Sequence, residues 1–379
     1  MSAMLSRPTA ERPAGPTYAD HSRPLWRRAL VSREFAVIAL LAVVFAWSQG
    51  NVDNFDGPLT LYYLFLDTAP ILLIALPLTM IIITGEIDLS VASVVGLASV
   101  AMGVLHQDLG LSIPLAALLA IGLGAVAGAF NGLLVAYVGL PSLAVTIGTL
   151  ALYRGLAVGL LGTTAVTEFP ERWTDLAKAR IVDGSPYPVI LIPFLVLLAG
   201  FVLLLHFSPF GRGVYEIGQN AEAARFTGVN VARTKFWLFV LAGAISAFAG
   251  VYYTLRYGSA RGDNATGLEL QVIAAVLLGG VSIFGGRGAL HGVVAGVLLI
   301  GVVSSAMRLE NYTANVISIV IGVLLVLSVI STRLLAWVSA LVSRGPGGRP
   351  PLRIGRRRAA VGTNGTSTTG TTTTSTTER

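Results

Sequence analysis

The chain has 379 residues, of which 54% are hydrophobic and only 12% charged, and its mean hydropathy is +0.76. Soluble domains carry about twice that charged fraction, so the composition is that of an integral membrane protein. The 43 glycines and 17 prolines sit inside apolar runs, where membrane helices tolerate both, which excludes a collagen-like or a disordered chain. No cysteine is present, so a disulfide scaffold, a thiolate metal centre and a cysteine nucleophile are excluded as well.

Residues 1–34 are rich in Arg and Pro and hold no apolar stretch, so no signal peptide is expected and the first span serves as the insertion signal. Uncharged apolar runs follow at about 35–48, 69–84, 89–105, 110–138, 140–161, 189–205, 236–255, 270–284, 289–307 and 314–331, with Arg154 the one charge inside the fifth. A crossing helix needs roughly 20 residues. The first run and 270–284 are short, so one of them is expected to be re-entrant or extended by its flanks. The expected fold is therefore all-α, a polytopic membrane helix bundle of about ten transmembrane helices. Gly-interrupted stretches at 85–93 and 279–288 mark candidate breaks, although they do not fall at matching places in the two halves.

Charge orients the spans. Residues 1–34, 208–235 and those after 332 hold eighteen basic against six acidic residues, a net of +12, whereas the rest of the chain nets −5. The positive-inside rule places both termini and the central loop 208–235 in the cytoplasm, and an even number of spans between each pair agrees. The domain reading is an N-terminal cytoplasmic segment 1–34, a transmembrane domain 35–332 and a tail 333–379. That tail is basic and then Thr/Gly-rich, too poor in apolar surface to order itself. The longest external loop, 162–188, is either a docking surface or simply solvated.

Two stretches carry candidate chemistry. In Ile83-Thr84-Gly85-Glu86-Ile87-Asp88-Leu89-Ser90-Val91-Ala92-Ser93, two carboxylates and two hydroxyls interrupt an apolar region, and acids at membrane depth are costly and usually functional. One reading is a cytoplasmic turn with Glu86 and Asp88 in water. The other is a helix break at which Asp88 and Ser90 line a polar path. The second stretch is the central loop around Arg212, where Asn220 is placed to cap a short helix carrying Glu222, Ala223 and Ala224 and ending at Gly228. That helix is either an interfacial linker or a lever moved by a cytoplasmic partner. Arg154 is placed to snorkel or to pair with an acid, Asn131 to hydrogen-bond a neighbouring helix, and Glu269 to cap a span or face an external vestibule. The two lysines, Lys178 and Lys235, are followed by Ala179 and Phe236, so no phosphate-binding GxxxxGK[ST] loop exists and the chain does not hydrolyse ATP alone.

These residues together resemble a family, the permease subunits of ATP-binding-cassette (ABC) importers for ribose, xylose, galactosides, rhamnose and autoinducer-2. The resemblance rests on Gly85-x-Ile87-Asp88-Leu89-Ser90, on Thr146-x-Gly148-Thr149-Leu150 with Tyr153-Arg154-Gly155, and on Gly218-Gln219-Asn220-x-Glu222-Ala223-Ala224 with Gly228. It continues in Gly267-x-Glu269-Leu270-x-x-Ile273-Ala274-Ala275-Val276 and Gly279-Gly280-x-Ser282-x-x-Gly285-Gly286-x-Gly288, in order over about residues 60–330. Glu86 and Ala92 depart from it, standing where the family commonly has glycine.

The resemblance implies a permease in the bacterial cytoplasmic membrane without a cofactor or catalytic residue of its own. It also implies a second permease subunit, cytoplasmic ATPases that use ATP and Mg, and an extracytoplasmic solute-binding protein; nucleic acid is not among the expected partners. Arg212, Asn220, Glu222, Ala223, Ala224 and Gly228 would form the ATPase-coupling site, and Glu86, Asp88, Ser90, Asn131, Thr146, Thr149, Arg154 and Glu269 the translocation pathway. The rival class is a stand-alone carrier driven by an ion gradient, with Glu86, Asp88 and Arg154 as its relay. Branched-chain amino acid permeases are the nearest competitor within the ABC class. An intramembrane hydrolase is rejected, since HExxH is missing and His21, His106, His206 and His291 are scattered.

Overall fold

The computed structural model describes residues 33–342, and the basic N-terminal segment and the tail beyond 342 lie outside the described residues. The described chain is helical without strands. In order the helices are α1 (Arg33–Asn51), α2 (Pro58–Ile83), α3 (Val91–Gln107), α4 (Ile113–Ala136), α5 (Ser142–Leu161), α6 (Glu171–Lys178) and α7 (Leu191–Phe207). They continue with α8 (Pro209–Gln219), α9 (Ala221–Phe226), α10 (Val231–Tyr257), α11 (Leu268–Leu278), α12 (Leu290–Leu309) and α13 (Ala314–Val342). Two compact units meet at Ser331/Thr332; the second is helical from Thr332 through Val342.

Each of the ten apolar runs becomes its own helix, but the ten are not equal. Six of them, α1, α2, α4, α5, α10 and α12, are long and apolar enough to cross a bilayer individually, and α7 meets that test only together with α8, from which it is bent by 66°. The apolar parts of α3, α11 and α13 are shorter. At 1.5 Å per residue the 11 residues of α11 reach only about 16 Å, half of the hydrocarbon thickness. The Gly-rich segment 279–289 continues the path without helix. The first run, by contrast, is lengthened by its flanks to the 19 residues of α1.

The centre of the bundle is α2. Every residue from Thr68 to Ile83 is buried, as expected for a helix that is hydrophobic all round rather than along one stripe. Helices α7, α8, α10, α11 and α12 pack around it. Pro70 and Pro77 lie inside α2 and each removes a backbone donor; the Leu66 carbonyl that Pro70 leaves without its helical partner accepts instead from Arg256 at 2.6 Å and from the Tyr252 hydroxyl at 3.2 Å. Helix α4 lies against α10 at Gly124, Gly128 and Gly243, where an added Cβ would strike the facing backbone. Close backbone approach at small residues replaces the hydrophobic driving force that lipid does not supply.

The two non-helical interruptions meet. The amide of Gly286 donates to the carbonyl of Ile83, the last residue of α2, at 2.8 Å, and the hydroxyl of Tyr215 on α8 donates to the carbonyl of Gly288 at 2.8 Å. Gly285 and Gly286 hold φ of 82° and 71°, a backbone region that L side chains rarely adopt. Gly218 of α8 closes the junction, because a Cβ there would run into the Ile83 carbonyl and the Gly286 amide.

Gly218→Ala is therefore expected to destabilise the detergent-solubilised protein by about 1–3 kcal/mol. Gly159→Ala, on an exposed face of α5 with nothing within 4 Å of the added methyl, is expected to stay within about 0.5 kcal/mol of the parent. Thermal unfolding of the two variants side by side checks this.

Candidate translocation and coupling sites

The chain between α2 and α3 is a helix break, and Asp88 within it is buried at 2% exposure. One carboxylate oxygen accepts from the Ser90 amide at 2.9 Å and from the Ser90 hydroxyl at 2.6 Å. An aspartate bonded to the amide two residues on forms an Asx-turn, which fixes the entry into α3. The Ser90 oxygen in turn accepts from Asn131 Nδ2 of α4 at 2.8 Å, and Tyr153 of α5 donates to Asn131 Oδ1 at 3.4 Å and to the Ala127 carbonyl at 2.9 Å. The backbone of Ile87 is held on both sides: its amide donates to Ser142 Oγ at 3.1 Å, and its carbonyl accepts from Thr146 Oγ1 at 3.2 Å. An extended segment inside a bundle needs such partners, because no water satisfies its backbone.

Asp88 is thus not in water; Asp88, Ser90 and Asn131, with Thr146 holding the adjoining Ile87 carbonyl, form one hydrogen-bonded knot joining three helices. This corrects the aqueous-turn reading of Asp88. Glu86 belongs elsewhere. It forms an ion pair with Lys235 at the start of α10, with both side chains less than one-fifth exposed. Thr149, one turn beyond Thr146, bonds only to the Thr146 carbonyl, at 3.5 Å.

Among the described residues Arg154 forms no ion pair with an acid. Its Nη1 donates to the carbonyls of Gly262 and Asn264 at 2.9 and 2.7 Å, and its Nη2 reaches the Ala92 carbonyl at 3.4 Å. Five fixed N–H donors suit a guanidinium to gathering carbonyls from a non-helical loop, so Arg154 clamps the 259–267 loop to α3. Glu269 sits half-buried in the first turn of α11, where the helix dipole favours a negative charge, and its side chain forms no cap.

The end of the bundle bearing loop 258–267 contains the charges that sequence reading missed. Asp67 of α2 pairs with Arg256 of α10 and, at 2.8 Å, with Arg308 of α12, while Arg256 also donates to the Leu66 carbonyl at 2.6 Å. Beside them opens a cavity of about 560 Å³ lined by Asp67, Tyr253, Tyr257, Ser259, Asn264, Gln271 and Arg308 among others. None of the translocation residues expected from sequence lines it. Loop 162–188 folds over this end: it contains α6, pairs Val166 with Ala260, and sends the Lys178 carbonyl to the Tyr62 hydroxyl.

At the opposite end, α8 and α9 follow the predicted pattern. Asn220 Oδ1 caps α9 by accepting from the Ala223 amide at 2.9 Å, and Gly228 has φ of 90°. Glu222, Ala223 and Arg212 are exposed. Ala224 is buried against Ile217 and Val231, so it seats the helix rather than offering a contact. Phe226, not singled out from sequence, is 93% exposed at the end of α9.

Two outcomes are expected of this geometry. Glu86→Lys should destabilise the protein by roughly 3 kcal/mol, and Glu86→Lys combined with Lys235→Glu should recover most of the loss. A Ser90→Ala/Asn131→Ala double-mutant cycle should give a coupling of about 0.6–1.7 kcal/mol. Equilibrium unfolding in detergent reads both.

Residues 60–329 match the family described as branched-chain amino acid transport system / permease component. The chain is 36% identical over 312 residues to the autoinducer 2 import system permease protein LsrD of Salmonella typhimurium, covering 80% of this chain and 92% of the relative. It is 35% identical over 309 residues to the protein of the same name from Photorhabdus laumondii, covering 78% and 90%. No solved structure matches. The family description names one cargo and the relatives another, so membership alone does not fix what is carried. A matched region spanning most of the helices described above, with relatives covered nearly end to end, places this chain in the branched-chain amino acid transport system / permease component family.

Proposed function

We propose that this chain is the permease of an ABC importer that carries a monosaccharide or a related small polyol or furanoside inward, of the rhamnose, ribose, xylose or autoinducer-2 class. A separate cytoplasmic ATPase subunit that binds ATP and Mg drives it, a second permease copy or paralogue completes the membrane part, and an extracytoplasmic binding protein delivers the cargo. The observation that carries this reading is the near full-length similarity to permeases named for autoinducer 2 import. The geometry supports it at α9. A capped, solvent-facing short helix on the most basic internal loop is what an ATPase can grip, whereas a carrier driven by an ion gradient needs none. Both termini and α8–α9 are then cytoplasmic, and loops 162–188 and 258–267 face outward.

The junction described above supplies a route for the motion. A push on α9 reaches α8 through their shared contacts and the Thr227 hydroxyl bond to Glu216. From α8 it reaches the end of α2 and the 279–288 segment through Gly218, Gly286 and Tyr215. Rigid-body rocking of packed helices is an established form of such switching.

In proteoliposomes containing this chain with its ATPase and binding protein, sugar-loaded binding protein is expected to accelerate ATP hydrolysis. Glu222→Arg is expected to abolish the acceleration while leaving the detergent-solubilised chain as stable as the parent. Solute uptake driven by an ion gradient without any ATPase would overturn the reading.

A further inference from the structure

Building on the importer reading, we infer that the outward cavity beside the Asp67–Arg308 pair is a binding site for a neutral polyhydroxylated cargo, occupied as the cargo enters from outside. The wall is crowded with groups that both donate and accept hydrogen bonds: Ser259, Asn264, Gln271 and the hydroxyls of Tyr253 and Tyr257. Those two tyrosines pack on each other with ring centroids 4.5 Å apart, and Arg256 lies over the Tyr257 ring at 4.8 Å, so they line the cavity as a fixed aromatic pair. A volume of about 560 Å³ falls in the range of small-molecule sites, roughly 300–1,000 Å³.

The charges on the wall are paired with one another. Arg261 pairs with Asp263 at 3.0 Å, and Asp67 pairs with Arg308 at 2.8 Å and with Arg256 behind it. Asp67 is thus shared by two arginines, a cluster with one positive charge in excess, and the Arg261–Asp263 pair is more than half exposed. A cation, or the ammonium group of an amino acid, would meet the excess positive charge of the Asp67 cluster. A neutral polyol needs only hydrogen bonds. Arg308 binds Asp67 through Nη2, one of the two terminal nitrogens of a guanidinium that has five N–H donors in all. The Asp67–Arg308 pair also borders two neighbouring cavities of about 250 and 690 Å³, so it stands where three spaces converge.

The native chain has no cysteine, so single introduced thiols report without background. Gln271→Cys and Ser259→Cys, with Glu168→Cys on the exposed part of loop 162–188 as reference, would be made in the full chain. Each would be assembled with the ATPase and binding protein in vesicles and treated from outside with a membrane-impermeant methanethiosulfonate cation. L-rhamnose, D-ribose, D-xylose or L-leucine would be supplied through the binding protein and at millimolar free concentration.

At least one of the sugars is expected to slow modification at positions 271 and 259 several-fold and to leave position 168 unchanged, with L-leucine giving no protection. Protection by L-leucine and by no sugar would overturn the polyol assignment. Equal modification with every solute, in vesicles whose ATP hydrolysis still responds to a sugar, would overturn the cavity as the site and leave the importer reading standing. Loss of all sugar-stimulated hydrolysis in the unmodified importer would instead strike the importer reading itself.

Discussion

The hydrogen bond from the Gly286 amide to the Ile83 carbonyl is the contact on which the rest of the structure depends. A membrane bundle has no water in its core to satisfy backbone groups, so a helix can stop inside it only where another segment supplies the missing partner. This chain stops twice, after α2 and after α11, and sets the two stops against each other. The cost is borne by sequence: Gly285 and Gly286 for their positive φ, and Gly218 so that α8 can lie against the joint. Because α8 leads directly into α9, a short and largely exposed helix is wired to the most buried of the described helices.

Around that joint, polar side chains act chiefly as fasteners. Asp88, Ser90, Asn131 and Tyr153 tie the first break to α4 and α5, and Arg154 ties loop 259–267 to α3 by gathering carbonyls. Intramembrane acids suggest a proton or ion relay by default. Here Glu86 is neutralised by Lys235 and Asp88 is absorbed into a turn, so the residues that look most reactive in the sequence hold the bundle's shape. The open polar surface lies elsewhere, at the end where Asp67, Arg256 and Arg308 converge.

Much of the fold was legible from the sequence. All ten apolar runs became helices, α9 formed with Asn220 as its cap, and the stretches at 85–93 and 279–288 are breaks. These features are local: hydropathy, capping chemistry and glycine act within a few residues. What the sequence did not show is long-range. That the two breaks touch follows from packing between residues some 200 positions apart, and that Asp67 meets both Arg256 and Arg308 follows from three helices converging. Arg154 misled for a related reason, because a charge inside an apolar run suggests an acidic partner, while a folded loop can present carbonyls that serve equally well. Phe226 was passed over since a single aromatic residue next to a helix end reads as packing until its exposure is seen.

The central claim is that α9, α8 and the 279–288 segment move as one body against the outward half of the bundle. Pulsed electron–electron distance measurements between spin labels at Arg225→Cys and Arg287→Cys, with a second pair at Arg225→Cys and Glu168→Cys, test it most directly in the assembled importer with and without bound ATP. The account predicts an unchanged 225–287 distance and a shifted 225–168 distance. A change in the 225–287 distance on ATP binding would show that the junction yields, and that motion does not reach the membrane through it.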